Sequence, residues 1–193
     1  AVRSRALAEA GGPGLGACVF FYPDTVTWAF GAQACALEID PETGAVRLLR
    51  YVAVHDCGRP VNPMVVEGQL HGGIAQGIGS ALMEALVHDD AGQLLTGTLM
   101  EYALPTAAVV PPLEVLALDH PSAINELGIK GVGESGTIAP PAAIANAIAD
   151  ALGERAADIT RLPLTPCRVW EAMRGMIPIR GAGPGRVQER TGI

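Results

Sequence analysis

Residues 65–79 read Val65-Val66-Glu67-Gly68-Gln69-Leu70-His71-Gly72-Gly73-Ile74-Ala75-Gln76-Gly77-Ile78-Gly79, and this stretch decides the fold. Val66, Leu70, Ile74 and Ile78, followed by Leu82 and Leu86, recur at every fourth residue, which marks one stripe of a helix over Val65–Val87. The same segment carries Gly68, Gly72, Gly73, Gly77 and Gly79. Each costs about 1 kcal/mol against Ala in a helix interior, enough together to sink an isolated helix. The pattern therefore requires a helix buried by its neighbours, with glycines that let another backbone or a flat ligand come close.

Upstream, the pattern is strand-like. Ala17–Tyr22 and Thr25–Phe30 are short β candidates rich in Val, Thr and aromatics. Ala34–Ile39 and Ala45–Val54 flank Asp40-Pro41-Glu42-Thr43-Gly44, the chemistry of a type I turn closed by a left-handed glycine, and predict a β-hairpin. Cys57-Gly58-Arg59-Pro60-Val61-Asn62-Pro63 is a turn that ends the sheet. Downstream, 89–93 form a turn, Thr96–Tyr102 a short strand or extended segment, and Leu113–Asp119 a strand. Ile129–Ile138, with three glycines, reads as a loop. Pro140 and Pro141 then stand where a helix can start, Ile144, Ile148 and Leu152 give its apolar stripe, and Gly153 caps it. A last helix covers Pro166–Met173. The predicted class is α+β, with a lead-in over 1–16 that belongs to an incomplete upstream domain, a domain over 17–174 and a loose tail over 175–193.

Composition narrows the function. Gly 24 and Pro 15 make up about one residue in five of 193, while 49% of residues are apolar and 17% charged. That is too hydrophobic for a disordered chain, and no apolar run reaches the roughly 18 residues of a membrane helix. A net charge of −7, with no cluster of basic residues, argues against a nucleic-acid surface. The chain opens on Ala1 without an apolar signal-peptide core, as expected after methionine removal or in a truncated reading frame. The four cysteines, Cys18, Cys35, Cys57 and Cys167, lack C-x-x-C spacing and read as reduced cytoplasmic thiols rather than as metal ligands. No metal-ligating residue is assigned.

Two stretches carry chemistry. In the first, Gln69, Gln76 and Gly72/Gly73 fall near one helix face, because seven residues are close to two turns. Glutamine amides offer the mixed donor and acceptor edges that a heterocycle matches. The alternative is tight helix packing with the glutamines in water. In the second, Lys130-Gly131-Val132-Gly133-Glu134-Ser135-Gly136 stands just before a helix. A single carboxylate in a glycine loop can approach a reacting centre closely, and desolvation there would raise its pKa toward that of a general base. The alternative is a solvated turn. Without a G-K-[ST] ending this is no P-loop, and Ser135 lacks the elbow of a hydrolase nucleophile.

In order, His55-Asp56-Cys57-Gly58, Val61-Asn62-Pro63, Glu67-Gly68-Gln69 through Gln76-Gly77, Tyr102-Ala103-Leu104-Pro105, Gly128 through Glu134 and Pro141 through Ala147 form one colinear series. From about Gly16 to Arg174 this series resembles the C-terminal part of the large, molybdopterin-binding subunit of the xanthine dehydrogenase/aldehyde oxidase/carbon monoxide dehydrogenase family. The resemblance implies the C-terminal portion of a molybdenum-cofactor-binding domain: a hairpin sheet, a buried Gly-rich helix, and a second helix after the catalytic loop.

It also implies a hydroxylase that adds water-derived oxygen to a carbon centre of an aldehyde, an N-heterocycle or a CO-type substrate. The metal centre would be held by molybdopterin cytosine dinucleotide and ligated by the pterin dithiolene. Glu134 matches the family's active-site glutamate, with the role of general base to Mo–OH while hydride passes to Mo=S. Gln69 matches a pterin-bonding glutamine, and Lys130 and Gly133 are carried over as loop or cofactor neighbours. Iron–sulfur [2Fe–2S] clusters and FAD would lie on partner domains or subunits. Since the family's large subunits are several times longer, the expected partners are the remaining portion of the large subunit, an iron–sulfur subunit and an FAD subunit. The competing expectation is a non-catalytic module: a pterin-binding or assembly protein, or an inactive remnant.

Overall fold

The structure, a computed structural model, describes residues 20–175. The expected lead-in, residues 17–19 of the first strand candidate and residues 176–193 of the tail lie outside them. The hairpin forms as the turn chemistry dictates. Strand β1 (Phe30–Ile39) pairs antiparallel with β2 (Val46–Asp56), Gly31 standing opposite His55 and Cys35 opposite Tyr51, with a bulge at Ala36/Leu37. Gly44 has φ +72°, and Asp40 accepts from the Glu42 N–H and the Thr43 hydroxyl to lock the turn. Strand β3 (Leu113–Leu118) joins the other edge of β2 in parallel, giving the order β1-β2-β3.

Helix α1 (Pro63–Leu82) is capped by the Asn62 side chain, which accepts from the Val65 N–H at 3.2 Å. Its predicted stripe is its buried face: Leu70, Ile74, Ile78 and Leu82 are all buried. Helix α2 (Pro140–Leu152) starts at the paired prolines and stops at Gly153, φ +60°, as read. A 3-10 turn (Gly153–Asp158) leads on to α3 (Pro166–Met173). One core joins Leu48, Tyr51 and Ala53 of β2 to Ile74 and Ile78 of α1, Ile144 and Ile148 of α2, and Val169 of α3. Each fully buried aliphatic side chain there contributes roughly 1.5–3 kcal/mol of transfer free energy.

Three local expectations are corrected. Among the described residues, 25–29 pair with no strand, and neither do 20–22, so β1 begins only at Phe30. Local propensity favours strands there, but the described residues supply no pairing partner. Helix α1 stops at Leu82, not Val87: Met83 leaves helical geometry, the Glu84 N–H turns back to the Gly79 carbonyl, and the Glu84 carboxylate accepts from the Tyr102 hydroxyl at 2.5 Å. Leu86, the last residue of the predicted stripe, is accordingly exposed. Thr96–Tyr102 is not a strand, because the Thr98 carbonyl accepts from the Glu101 and Tyr102 N–H groups and folds the segment into a turn.

Candidate active site

The site is built on the loop between Ile129 and Ala139, which follows β3 in the chain, passes the end of β2 and leads into α2. At its leading end the loop is tied to β2. The Lys130 N–H donates to the Cys57 carbonyl at 2.9 Å, the Arg59 N–H to the Gly128 carbonyl at 3.0 Å, and Gly58 bridges Ile129. Asn125 brackets Ile129, its amide donating to the Ile129 carbonyl and its oxygen accepting from the Ile129 N–H. At its trailing end the loop lies directly on α1. A Cβ on Gly73 would sit 2.9 Å from Gly136 Cα, one on Gly136 would sit 2.6 Å from the Leu70 carbonyl, and one on Gly77 would meet Pro140 at 2.7 Å. At Gly73 and Gly136 backbone meets backbone, which only glycine permits, and at Gly77 the Pro140 ring takes the place of a side chain.

Gly68 and Gly72 behave differently. Neither would bring a Cβ within 4 Å of any atom, and the same holds for Gly131 and Gly133 of the loop. The glycines of α1 therefore divide: Gly73 and Gly77 are required by packing, whereas Gly68 and Gly72 face an open groove of about 330 Å³ with Gln69, Gln76, Gly133, Glu134 and Thr137. A second depression, about 470 Å³, lies on the other side of the loop and is bordered by Phe30, Gln33, His55, Val132 and Ser135. Gly133 and Glu134 border both. Glu134 is exposed, so desolvation of its carboxylate is not supplied by the described residues. Gln69 is likewise exposed on the groove, where it joins Gly133 and Glu134.

Lys130 stands apart from these three. It borders neither depression; its ammonium lies 3.1 Å from the carboxylate of Asp56, with its side chain only 10% exposed and 5.0 Å over the Phe30 ring. Asp56 is completely buried. It accepts from the Gly58 N–H at 2.7 Å, from Lys130, and from His120 Nδ1 at 2.7 Å. Burial pushes this carboxyl up, but those three hydrogen bonds and the Lys130 charge more than offset it and hold the group below the usual carboxylate range. Next to it, His55 is buried, its Nδ1 has no hydrogen-bond partner, and burial lowers its pKa against the opposing pull of Asp56.

Sequence reasoning gave no role to Gln33, Tyr51 or Asp56. The Gln33 amide donates to the Ser135 carbonyl at 3.0 Å and reaches that of Gly136 at 3.4 Å, while Tyr51 donates to Gln33 Oε1 at 2.6 Å. One usable signal was present for Asp56: Asp-x-Gly at a strand end is a turn in which the carboxylate caps the glycine N–H. None marked Gln33. Among the described residues no group of three or more His, Cys, Asp or Glu side chains could hold a metal ion, and Cys35, Cys57 and Cys167 are free thiols. No described helix is long and apolar enough to cross a membrane.

The groove is floored by open glycines, walled by two primary amides and ends at a carboxylate. Residues 4–111 match the family model of the molybdopterin cofactor-binding domain. The chain is 42% identical over 164 residues to the nicotine 6-hydroxylase large subunit of Paenarthrobacter nicotinovorans, and 36% identical over 162 residues to the carbon monoxide dehydrogenase large chain of Hydrogenophaga pseudoflava. Each alignment spans 84% of this chain and 20% of the relative. Among solved structures, quinoline 2-oxidoreductase from Pseudomonas putida 86 superposes over 76% of this chain and 19% of its own, with TM-score 0.72 and 46% identity. The Cu,Mo-CO dehydrogenase superposes over 85% of this chain and 21% of its own, with TM-score 0.79 and 34% identity. The chain thus belongs to the large-subunit family of carbon monoxide dehydrogenase and xanthine dehydrogenase, and spans about one fifth of the length of these relatives.

The residues present fit the family's cofactor. The cradle at Gly68 and Gly72 is one that side chains would fill, and the amides of Gln69 and Gln76 offer donors and acceptors to a pterin edge.

Proposed function

We propose that this chain forms one wall of the active site of a molybdenum hydroxylase, with Glu134 as its general base. The observation that carries the reading is the position of Glu134 on the border shared by the two depressions. One depression is suited to the cofactor and the other is open to substrate. Gln69 and Gln76 hold the pterin of a molybdopterin cytosine dinucleotide against the open glycines, and Gly133 leaves room beside it. When bound, the cofactor supplies the two-electron redox chemistry. The Glu134 carboxylate takes the proton from the water-derived hydroxyl that becomes attached to the substrate carbon, whether in an aldehyde, an N-heterocycle or a CO-type substrate. The remainder of the large subunit, absent from this chain, closes the site and desolvates Glu134. Iron–sulfur and FAD subunits carry the electrons away.

The test is Glu134→Gln in the assembled enzyme. Removing a positioned base costs roughly 10²–10⁴-fold in turnover. The expected outcome is a loss of that size with molybdenum content unchanged, and near-normal turnover would overturn the assignment. Gln69→Ala lowers molybdenum retention instead, so full metal content in that variant would remove Gln69 from the cofactor site.

A further inference from the structure

We propose that the buried Asp56–Lys130 pair is a positioning device for the Glu134 loop, and that Lys130 acts through Asp56 rather than by touching the cofactor. The inference rests on the reading of Glu134 as the base. Lys130 is the only lysine in the sequence, in a chain whose other basic residues are all arginines. A lone lysine kept for solubility would stand in water, since lysines are almost never buried unless paired. This one is buried against a carboxylate with no exposure at all.

The geometry gives the pair a specific mechanical task. Asp56 is the last residue of β2, in the centre of the sheet, so its backbone is held on both sides. Its Oδ1 accepts from both the Gly58 N–H and Lys130 Nζ. Lys130 in turn lies four residues before Glu134, and the residues between include Gly131 and Gly133, where an added Cβ would meet no atom within 4 Å. With Ser135 held by Gln33 and Gly136 seated on α1 at the other end, the stretch carrying Glu134 hangs between two anchored points, crossed by a turn bond from the Ser135 N–H to the Val132 carbonyl. Loosening either point spreads the positions open to Glu134. A general base must stay within hydrogen-bond reach of the proton it takes, so that spread lowers turnover without weakening substrate binding. His120 completes the carboxylate's partners: as a carboxylate only accepts, its Nδ1 donates to Oδ2.

The test uses Asp56→Asn, Lys130→Met and the double variant in the assembled enzyme, beside Glu134→Gln. The double variant removes both charges, so it folds without leaving one buried and unpaired. Its expected behaviour is a fall in kcat of about 10- to 100-fold, with KM and molybdenum content unchanged. In Asp56→Asn, Lys130 is released, and a lysine-specific endoproteinase cuts after it faster, as scored by fragment mass. Normal kcat in the folded double variant overturns the proposal. So does unchanged cleavage in Asp56→Asn, or loss of molybdenum in Lys130→Met but not in Asp56→Asn, which would make Lys130 a direct cofactor contact. If Glu134→Gln stays active, the base assignment fails on its own, and the cleavage rate still decides whether the pair holds the loop.

Discussion

The Tyr51 hydroxyl donates to Gln33 Oε1 at 2.6 Å, and that contact fixes which way the Gln33 amide faces. The carbonyls of Ser135 and Gly136 can only accept, so the NH₂ edge must turn toward them and the oxygen toward Tyr51. Burial raises the Tyr51 phenol well above its usual range, which keeps it a proton donor at any physiological pH.

Tyr51→Phe therefore frees the amide to rotate and slackens the residue following Glu134. A net loss of about 1 kcal/mol is expected for one such hydrogen bond, a drop of roughly 2–4 °C in melting temperature for a domain of this size. Gln33→Ala should cost a similar amount, and the two together less than their sum, since each breaks the same chain of bonds. A thermal-unfolding double-mutant cycle checks this, and strict additivity would show that the two residues act separately.

Adjacent glycines of α1 should respond in opposite directions to the same substitution. Gly72→Ala meets nothing, so the gain in helix propensity stabilises by about 0.5–1 kcal/mol. In Gly73→Ala the new methyl meets Gly136 Cα and the Thr137 nitrogen, both backbone, and forcing them apart costs about 1–3 kcal/mol. Denaturant midpoints for the two variants provide the comparison, and equal midpoints would remove the distinction between packing and open glycines.

Acid should destabilise this fold in two steps. His55 has a lowered pKa, so below about 6.5 the unfolded chain takes up a proton that the folded one refuses. Its contribution is complete above that pH and is lost as pH falls toward its folded value. Asp56 also has a lowered pKa, and its contribution is present above the ordinary carboxylate range and lost as pH falls through the folded value. His55→Leu should therefore flatten the fall in melting temperature between about pH 7.5 and 5.5 while keeping the later, carboxylate-driven loss. An equally steep fall in that variant would show that other groups drive the first step.

Much of the local structure was legible in the residues. The Asp40–Gly44 turn, the buried stripe of α1 and the proline start and glycine stop of α2 each follow from neighbours within a few positions, where backbone sterics and periodicity act directly. The four-residue spacing continues to Leu86, past the point where the helix ends and the Glu84 side chain turns away to Tyr102. The propensity of 25–29 for a strand likewise carries no information on a pairing partner, and the described residues supply none.

What the chain alone determined is the hairpin, the starts of the two long helices and a glutamate in a glycine loop beside a glycine helix. Which glycines touch backbone and which face an open groove was decided only by the tertiary structure, because a residue without a side chain carries no mark of what lies against it. The same holds for the only lysine, paired with a carboxylate 74 positions away, and for Gln33, which holds a loop 102 positions away. Periodicity tells a residue that it faces inward. It takes the closed fold to bring the particular partner to that face, and here those partners fix where Glu134 stands.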